Sequence, residues 1–259
     1  MANVALIIAG GVGERMGNAI PKQFMDVAGK PVLVWTISAF QSHHDIDAIY
    51  VVCLNGWEQE VLEYKEKYKL SKLEQVVTGG DTGFQSIRNG LNAIAEKYKN
   101  DDIVLIHDAV RPMVSHEIIS DNIATVKKYG NAITCIPCYE AMLYAPDGRK
   151  ATKSVPRETL QRTQTPQGFK LSSILRAHAL ADSVGITNSV ASCTLFAELG
   201  LPTFISRGSE KNIKLTTTDD IDIMEVLIKA KNQNENKSVF KRARAYKQRN
   251  IKKVRDLGK

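Results

Sequence analysis

Val4-Ala5-Leu6-Ile7-Ile8-Ala9-Gly10-Gly11-Val12-Gly13-Glu14-Arg15-Met16-Gly17 opens the chain, and Pro21-Lys22-Gln23-Phe24 comes shortly after it. The apolar run reads as a buried strand, and the glycines after it read as the loop that the strand empties into. Glycine has no Cβ, so backbone N–H groups there can approach an anion closely. Arg15 and Lys22 bring two fixed cations to the same place. The combination reads as a triphosphate site. Spacing excludes two common alternatives. A dinucleotide fingerprint needs G-x-G-x-x-G opening a helix, whereas Gly11, Gly13 and Gly17 are one residue too wide and Pro21 follows closely. A P-loop needs Gly-Lys-Ser/Thr at its end, and Gly17 precedes Asn18 and Ala19. A plain turn with surface charges would leave the glycines, Arg15 and Lys22 without a reason to stand together.

Working outward, further strands are expected at Ala48–Cys53, Gln75–Thr78, Ile103–Ile106, Ala132–Ile136 and Thr203–Ser206, after the first at Val4–Ile8. Helical periodicity fills the gaps at Pro31–Phe40, Glu58–Tyr68, Gly83–Tyr98, Ser115–Tyr129, Lys170–Asp182 and Thr218–Lys229. Val61, Leu62 and Tyr68 are expected on one face of the second helix. Phe84, Ile87, Leu91, Ile94 and Tyr98 share a face of the third. Ser115 reads as an N-cap, with Ile118, Ile119, Ile123 and Val126 turned inward. Short apolar strands alternating with helices predict an α/β fold, with a mostly parallel, Rossmann-like sheet covered on both faces. In such sheets ligands sit beyond the carboxyl ends of the strands. The Gly10–Gly17 loop, Gly79-Gly80-Asp81 and Asp108 each follow such an end, so three motifs converge on one rim. Between Cys138 and Arg157 the alternation breaks around the turn signal Pro146-Asp147-Gly148, which predicts a β-hairpin arm over residues 138–157. A two-stranded arm is marginal alone, so it is expected to pack on a second subunit.

The chain has 259 residues, enough for a sizeable core, and a net charge of +7 that is unevenly placed. Residues 231–259 hold eleven lysines and arginines against two acids, which leaves 24 basic against 26 acidic residues in 1–230. The reading is therefore a catalytic domain over 1–230 and a basic tail over 231–259. Phe240, Ala243, Tyr246, Val254 and Leu257 give the tail a weak amphipathic pattern, which suits an anionic membrane surface, an acidic partner, nucleic acid or simply a solvated tail. A nucleic-acid-binding role for the whole protein would explain the tail and leave the glycine loop, Lys22, Asp108 and Lys214 unexplained, so no nucleic acid is required. Four scattered cysteines and the lack of any run near the roughly 18 apolar residues of a membrane span predict a cytoplasmic protein. Cys135-Ile136-Pro137-Cys138 ends a strand-like run instead of opening a helix, so it reads as structural.

The motifs also resemble a family. A-G-G-x-G-x-R-M-G with P-K-Q-F is similar to the signature of cytidylyltransferases acting on small polyol phosphates. The likeness continues through Gly79-Gly80-Asp81 with Ser86, His107-Asp108-Ala109-Val110-Arg111-Pro112, Gln164-Thr165-Pro166-Gln167 and Asn212-Ile213-Lys214-Leu215-Thr216, over roughly residues 3 to 230. The resemblance implies a nucleotidyltransferase (GT-A-like) sheet, CTP and a polyol phosphate as substrates, and a homodimer whose arms interlock. By resemblance Arg15, Lys22 and Lys214 are the catalytic cations. Ala9, Gly10, Gly11, Gly13, Gly80, Asp81 and Ser86 are implied around CTP, and Asp108, Arg111, Arg157, Thr165 and Thr187 around the acceptor. A hard carboxylate at Asp108 also suits Mg²⁺. Plainer readings stand beside these: Lys22 and Lys214 as solvated lysines, Arg15 as a loop arginine, Asp108 as a turn cap, Ser86 as a helical serine. His107 reads as scaffold, since the reaction needs no proton shuttle.

Two branches of the family differ in acceptor. The methylerythritol branch shows Asp-Thr where this chain has Glu140-Ala141, and Thr-Asp with a second acid where it has Thr187-Asn188-Ser189. Ala9-Gly10-Gly11, His107 to Arg111 and Val155-Pro156-Arg157 resemble the ribitol branch more closely, although that branch's Asp-Ala-Cys-Lys run is absent near residue 188. D-ribitol 5-phosphate is the expected acceptor, with CDP-ribitol for a cell-surface polymer as product. 2-C-methyl-D-erythritol 4-phosphate, an isoprenoid precursor, is the alternative, and another polyol phosphate stays open.

Overall fold

The computed structural model describes residues 1–11, 20–217 and 219–230. Seven strands form the central sheet, β1 (Asn3–Ala9), β4 (Ala48–Cys53), β5 (Leu73–Thr78), β6 (Ile103–Asp108), β7 (Asn131–Pro137), β10 (Gln161–Lys170) and β11 (Ile205–Arg207), while β2 (Asp26–Val27) and β3 (Lys30–Pro31) form a small pair apart from it. Their order across the sheet is β11-β7-β10-β6-β1-β4-β5. All pairings are parallel except those of β10, which runs antiparallel to both β6 and β7. β1, β4, β6 and β7 are apolar and buried along most of their length because both faces of the sheet are covered there. Ala5, Ile7 and Ala9 of β1 join one core with residues of α1 (Val32–Gln41), α2 (Glu58–Lys67) and α4 (His116–Tyr129). Val4 and Leu6, one residue out of phase, join another with α3 (Gly83–Ala95), α5 (Leu171–Ser183) and α6 (Ser192–Glu198). A last helix spans 219–230, and its Met224 and Ile228 pack with Val27, Val32, Val110 and Leu215.

The expected cap holds, and the structure adds a second. Ser115 Oγ accepts from Ile118 N at 3.3 Å, and Thr82 Oγ1 does the same for α3, accepting from Gln85 N at 3.1 Å. Ile118, Ile119, Ile123 and Val126 are buried as read. Leu62 is a correction: it is 42% exposed, and Tyr64 is buried beside Val61 in its place. The i, i+3 spacing from Val61 carries Tyr64 round to the sheet, whereas an adjacent residue turns away.

Two elements go beyond the sequence reading. β10 joins the middle of the sheet although Gln161-Arg162-Thr163-Gln164-Thr165-Pro166-Gln167 is polar and holds a proline. Proline donates no N–H and breaks a ladder. Thr163 pairs with Cys135 and Gln167 with Ile133, so four steps along β10 face two along β7. The surplus bulges outward around Pro166, whose carbonyl accepts from Thr134 Oγ1 at 2.6 Å and Asn122 Nδ2 at 3.0 Å. The short helix α6 is the other. The β-hairpin arm is present as β8 (Met142–Tyr144) against β9 (Lys153–Val155), antiparallel, with Met142, Leu143 and Tyr144 exposed on it.

Candidate active site

At the carboxyl ends of β1 and β6, a cavity of about 640 Å³ opens between the first loop, the bulge of β10, the approach to α6 and the segment carrying Lys214. Ala9, Gly11, Lys22, Asp108, Arg111, Thr165 and Lys214 all line it. The structure therefore brings together the two lysines expected to be catalytic and three of the expected acceptor residues, from parts of the chain more than a hundred positions apart.

The first loop is tied from below. Lys22–Phe24 forms a 3-10 turn, and Gln23, buried within it, donates from Nε2 to Ala9 O at 2.7 Å and to Gly11 O at 3.0 Å. Phe24 anchors the turn by stacking on Trp57 with centroids 4.2 Å apart. Packing of Gly10 and Gly79 on Ser86 needs their lack of side chains: a Cβ on either would stand 3.1 Å from Ser86 Oγ. Ser86 is 1% exposed, and its Oγ accepts from Gly80 N at 3.1 Å. It fastens the Gly79-Gly80 loop against the first loop. Asp81 is exposed beside it, with its N–H donating to Gln85 Oε1 at 3.3 Å. Gly13 and Arg15 lie outside the described residues, as does the tail 231–259.

Asp108 is the one acidic residue among the described lining residues. Arg111 Nε donates to its Oδ2 at 2.9 Å, and Lys214 Nζ lies 3.2 Å from both oxygens. Burial alone would raise this carboxyl's pKa; the Lys214 and Arg111 cations outweigh that and hold it below the usual range. Asp108 is thus an ionised hub between two cations. A carboxylate so occupied fits Mg²⁺ only as one ligand among phosphate oxygens and waters, which is how that ion is commonly held. Among the described residues, His43, His44 and Asp45 also group closely enough for an ion, but they sit near the amino end of β1, where Asn3 Nδ2 meets Asp45 O at 2.7 Å. That is the opposite rim.

His107 has no exposed surface, and burial pushes its pKa down to about 4. It is neutral, and its hydrogen bonds fix the tautomer. Nε2 lies 3.1 Å from Arg111 O, a carbonyl that can only accept, so Nε2 carries the proton. Nδ1 must then accept from Thr165 Oγ1 at 3.0 Å, while that oxygen accepts from Asp108 N at 3.1 Å. His107 is scaffold, as read. Thr165 lines the cavity, but its hydroxyl proton is committed to His107, which leaves it an acceptor and not the donor expected for the acceptor phosphate.

Lys214 is set by neighbours that sequence reading gave no role. Asn212, fully buried, donates from Nδ2 to Thr165 O at 2.9 Å and accepts at its carbonyl from Arg111 Nη1 at 2.7 Å. Gln164 Nε2 reaches Ser209 O at 2.9 Å. Leu215 N bonds Val110 O at 3.0 Å, and Asp220 Oδ2 accepts from Thr216 N, Thr216 Oγ1 and Thr217 N, each at 2.7 Å.

Two expected acceptor residues are not part of this cavity. Arg157 sits in a turn at the base of the arm, half-exposed, with Nη1 donating to Tyr139 O at 2.7 Å. Thr187 is exposed on the loop before α6, and the cavity takes Val190 and Ala191 from that loop and Ser192 from the start of α6 instead. Glu140 pairs with Arg162 at 3.3 Å, away from the lining.

A profile of the IspD family, described as 2-C-methyl-D-erythritol 4-phosphate cytidylyltransferase, matches residues 3–230. The ribitol-5-phosphate cytidylyltransferase of Lacticaseibacillus paracasei is 37% identical over 229 residues, covering 88% of this chain and 98% of the relative. The 2-C-methyl-D-erythritol 4-phosphate cytidylyltransferase of Clostridium acetobutylicum is 37% identical over 231 residues, covering 88% and 97%. The solved structure of that enzyme from Francisella tularensis superposes with a TM-score of 0.73 at 28% identity, over 88% of this chain and 100% of the other. No helix among the described residues is long and apolar enough to cross a membrane.

Proposed function

Since the chain belongs to the IspD family of CTP-dependent cytidylyltransferases, we propose that it transfers the cytidylyl group of CTP to D-ribitol 5-phosphate, giving CDP-ribitol and pyrophosphate. The observation that carries this reading is the Lys214–Asp108–Arg111 cluster facing the same cavity as Lys22 and the glycine loop. A phosphate oxygen of the acceptor forms a bond to the α-phosphorus of CTP, the bond from that phosphorus to the bridging oxygen breaks, and pyrophosphate leaves. Negative charge gathers on oxygens around one phosphorus, so cations and aligned N–H groups lower the barrier, while positioning does the rest.

Lys22 and Lys214 take the α-phosphate oxygens in this scheme, with Arg15 a third cation from the first loop. Arg111, tethered to Asp108 and to Asn212 O, keeps spare N–H groups for the acceptor phosphate. No group need take a proton from a phosphate dianion, which agrees with a neutral, fully engaged His107. Mg²⁺ would neutralise triphosphate charge, with Asp108 the lining residue able to hold it. Arg157 is assigned to the acceptor site of a second subunit, reached by the exposed arm. Support for that is its absence from the lining of this chain's own cavity and the marginal stability of a lone hairpin.

The alternative acceptor is 2-C-methyl-D-erythritol 4-phosphate, on the strength of the Clostridium acetobutylicum relative. Pyrophosphate release from CTP and Mg²⁺ with each acceptor in turn separates the two. Turnover on the ribitol ester is expected; turnover on the methylerythritol ester alone would reassign the acceptor, and turnover on neither would overturn the reading.

A further inference from the structure

Ser192 lines the cavity at the start of α6, is 3% exposed, and its Oγ has no hydrogen-bond partner. Its neighbours along the chain are paired. Ser189 Oγ lies 2.8 Å from Thr194 Oγ1, and that hydroxyl meets Ala191 N at 2.9 Å and Ala191 O at 2.7 Å. On the other side Cys193 N donates to Gln167 Oε1 at 3.0 Å, and Gln167 comes from the bulged strand β10. The backbone on both flanks of Ser192 is therefore fixed, and its buried hydroxyl is left without a partner at the cavity wall. A buried hydroxyl without a partner destabilises the free protein, and such groups in native structures call for an explanation.

Resting on the acceptor reading above, we infer that Ser192 is a specificity-determining residue whose Oγ hydrogen-bonds a hydroxyl of the polyol chain. The cations of the cavity suit phosphate, and none of them tells one sugar alcohol from another. A small neutral hydroxyl, able both to donate and to accept, matches an alcohol group instead. Asp108, Arg111 and Lys214 satisfy one another, and Ser192 bonds to none of them. A hydroxyl held in place before the ligand arrives loses little freedom on binding, which favours selectivity.

The test uses full-length wild type, Ser192→Ala and Ser192→Thr with CTP and Mg²⁺. In Ser192→Ala, kcat/KM for D-ribitol 5-phosphate is expected to fall about tenfold, as for one lost neutral hydrogen bond. KM for CTP stays within twofold, and Tm without ligand is unchanged or raised because an unpaired buried group is gone. Ser192→Thr restores most of the lost kcat/KM. An acceptor kcat/KM within twofold of wild type overturns the inference. So does a KM for CTP that rises in step, or a fall in Tm accompanying the lost activity. Wild type that turns over neither the ribitol nor the methylerythritol ester would instead sink the acceptor reading on which the inference stands, and a failure confined to the variants is thereby distinguishable.

Discussion

Replacing Lys214 by glutamine removes one of the cations proposed for the α-phosphate and keeps most of the side-chain volume. Its Nζ lies 3.2 Å from Asp108, which at an effective dielectric of about 20 is an attraction of about 5 kcal/mol before desolvation. Lys214 is 41% exposed, so solvent screening reduces the net contribution to about 1 kcal/mol. Asp108 keeps Arg111 at 2.9 Å, so no bare buried charge remains. A Tm drop of about 2–4 °C is expected for a domain of this size. The rate effect is much larger: losing one donor aimed at developing charge lowers kcat about 10²- to 10³-fold. Coupled-enzyme detection of pyrophosphate over a CTP titration reads kcat and KM separately. Asp108→Asn is expected to slow the enzyme as well, by releasing the anchor of Lys214. The Asp108→Asn, Lys214→Gln double variant should lose less than the product of the two single losses, since the residues act as one unit. A Lys214→Gln enzyme with kcat within threefold of wild type, or a double variant with fully multiplied losses, would refute this assignment.

Removal of His107 strands two partners. His107→Ala leaves the Thr165 hydroxyl and the Arg111 carbonyl without their bonds, and urea unfolding should show a loss of roughly 2–4 kcal/mol. A loss under 1 kcal/mol would contradict the scaffold role. His107 and His178 both have folded pKa values pushed down to about 4 by burial, against 6.5 when unfolded. The unfolded chain therefore binds more protons between pH 6.5 and 4, and stability should be level above that window and fall within it by about 1.4 kcal/mol per pH unit for each histidine. Urea midpoints that stay flat from pH 7 to 4.5 would count against it. Gln23→Leu unties Ala9 and Gly11 at the floor of the glycine loop and should raise KM for CTP about tenfold, with a far-UV spectrum like that of wild type.

Where a stretch of chain announces itself by its own residues, reading it succeeds. Ala48-Ile49-Tyr50-Val51-Val52-Cys53 is apolar throughout and is a strand over those very bounds. Ser115 and the inward positions of α4 follow from a cap and a period. β10 stayed hidden because its central place in the sheet comes from neighbours: Thr134 and Asn122 hold the Pro166 carbonyl that interrupts its ladder. The candidate site divides the same way. Lys22, Asp108, Arg111 and Lys214 carry chemistry in their side chains and stand in recognisable motifs. Gln23 acts through backbone carbonyls of the preceding loop, Asn212 through partners far away in the chain and Ser192 through lacking one, and uncharged residues give no local sign of any of these. The neutral state of His107 needs full burial together with two bonds, from Arg111 O and from Thr165 across 58 positions.

Direct attack by the acceptor on the α-phosphorus is the claim beneath all of these, and isotope placement tests it. D-ribitol 5-phosphate carrying ¹⁸O at its three non-ester phosphate oxygens, mixed with CTP, Mg²⁺ and the enzyme, is analysed by ³¹P NMR. All of the label should remain in the cytidine diphosphate product, one atom of it bridging the two phosphorus atoms, and the pyrophosphate should be unlabelled. Label in the pyrophosphate, or a product without the labelled bridge, would contradict the account.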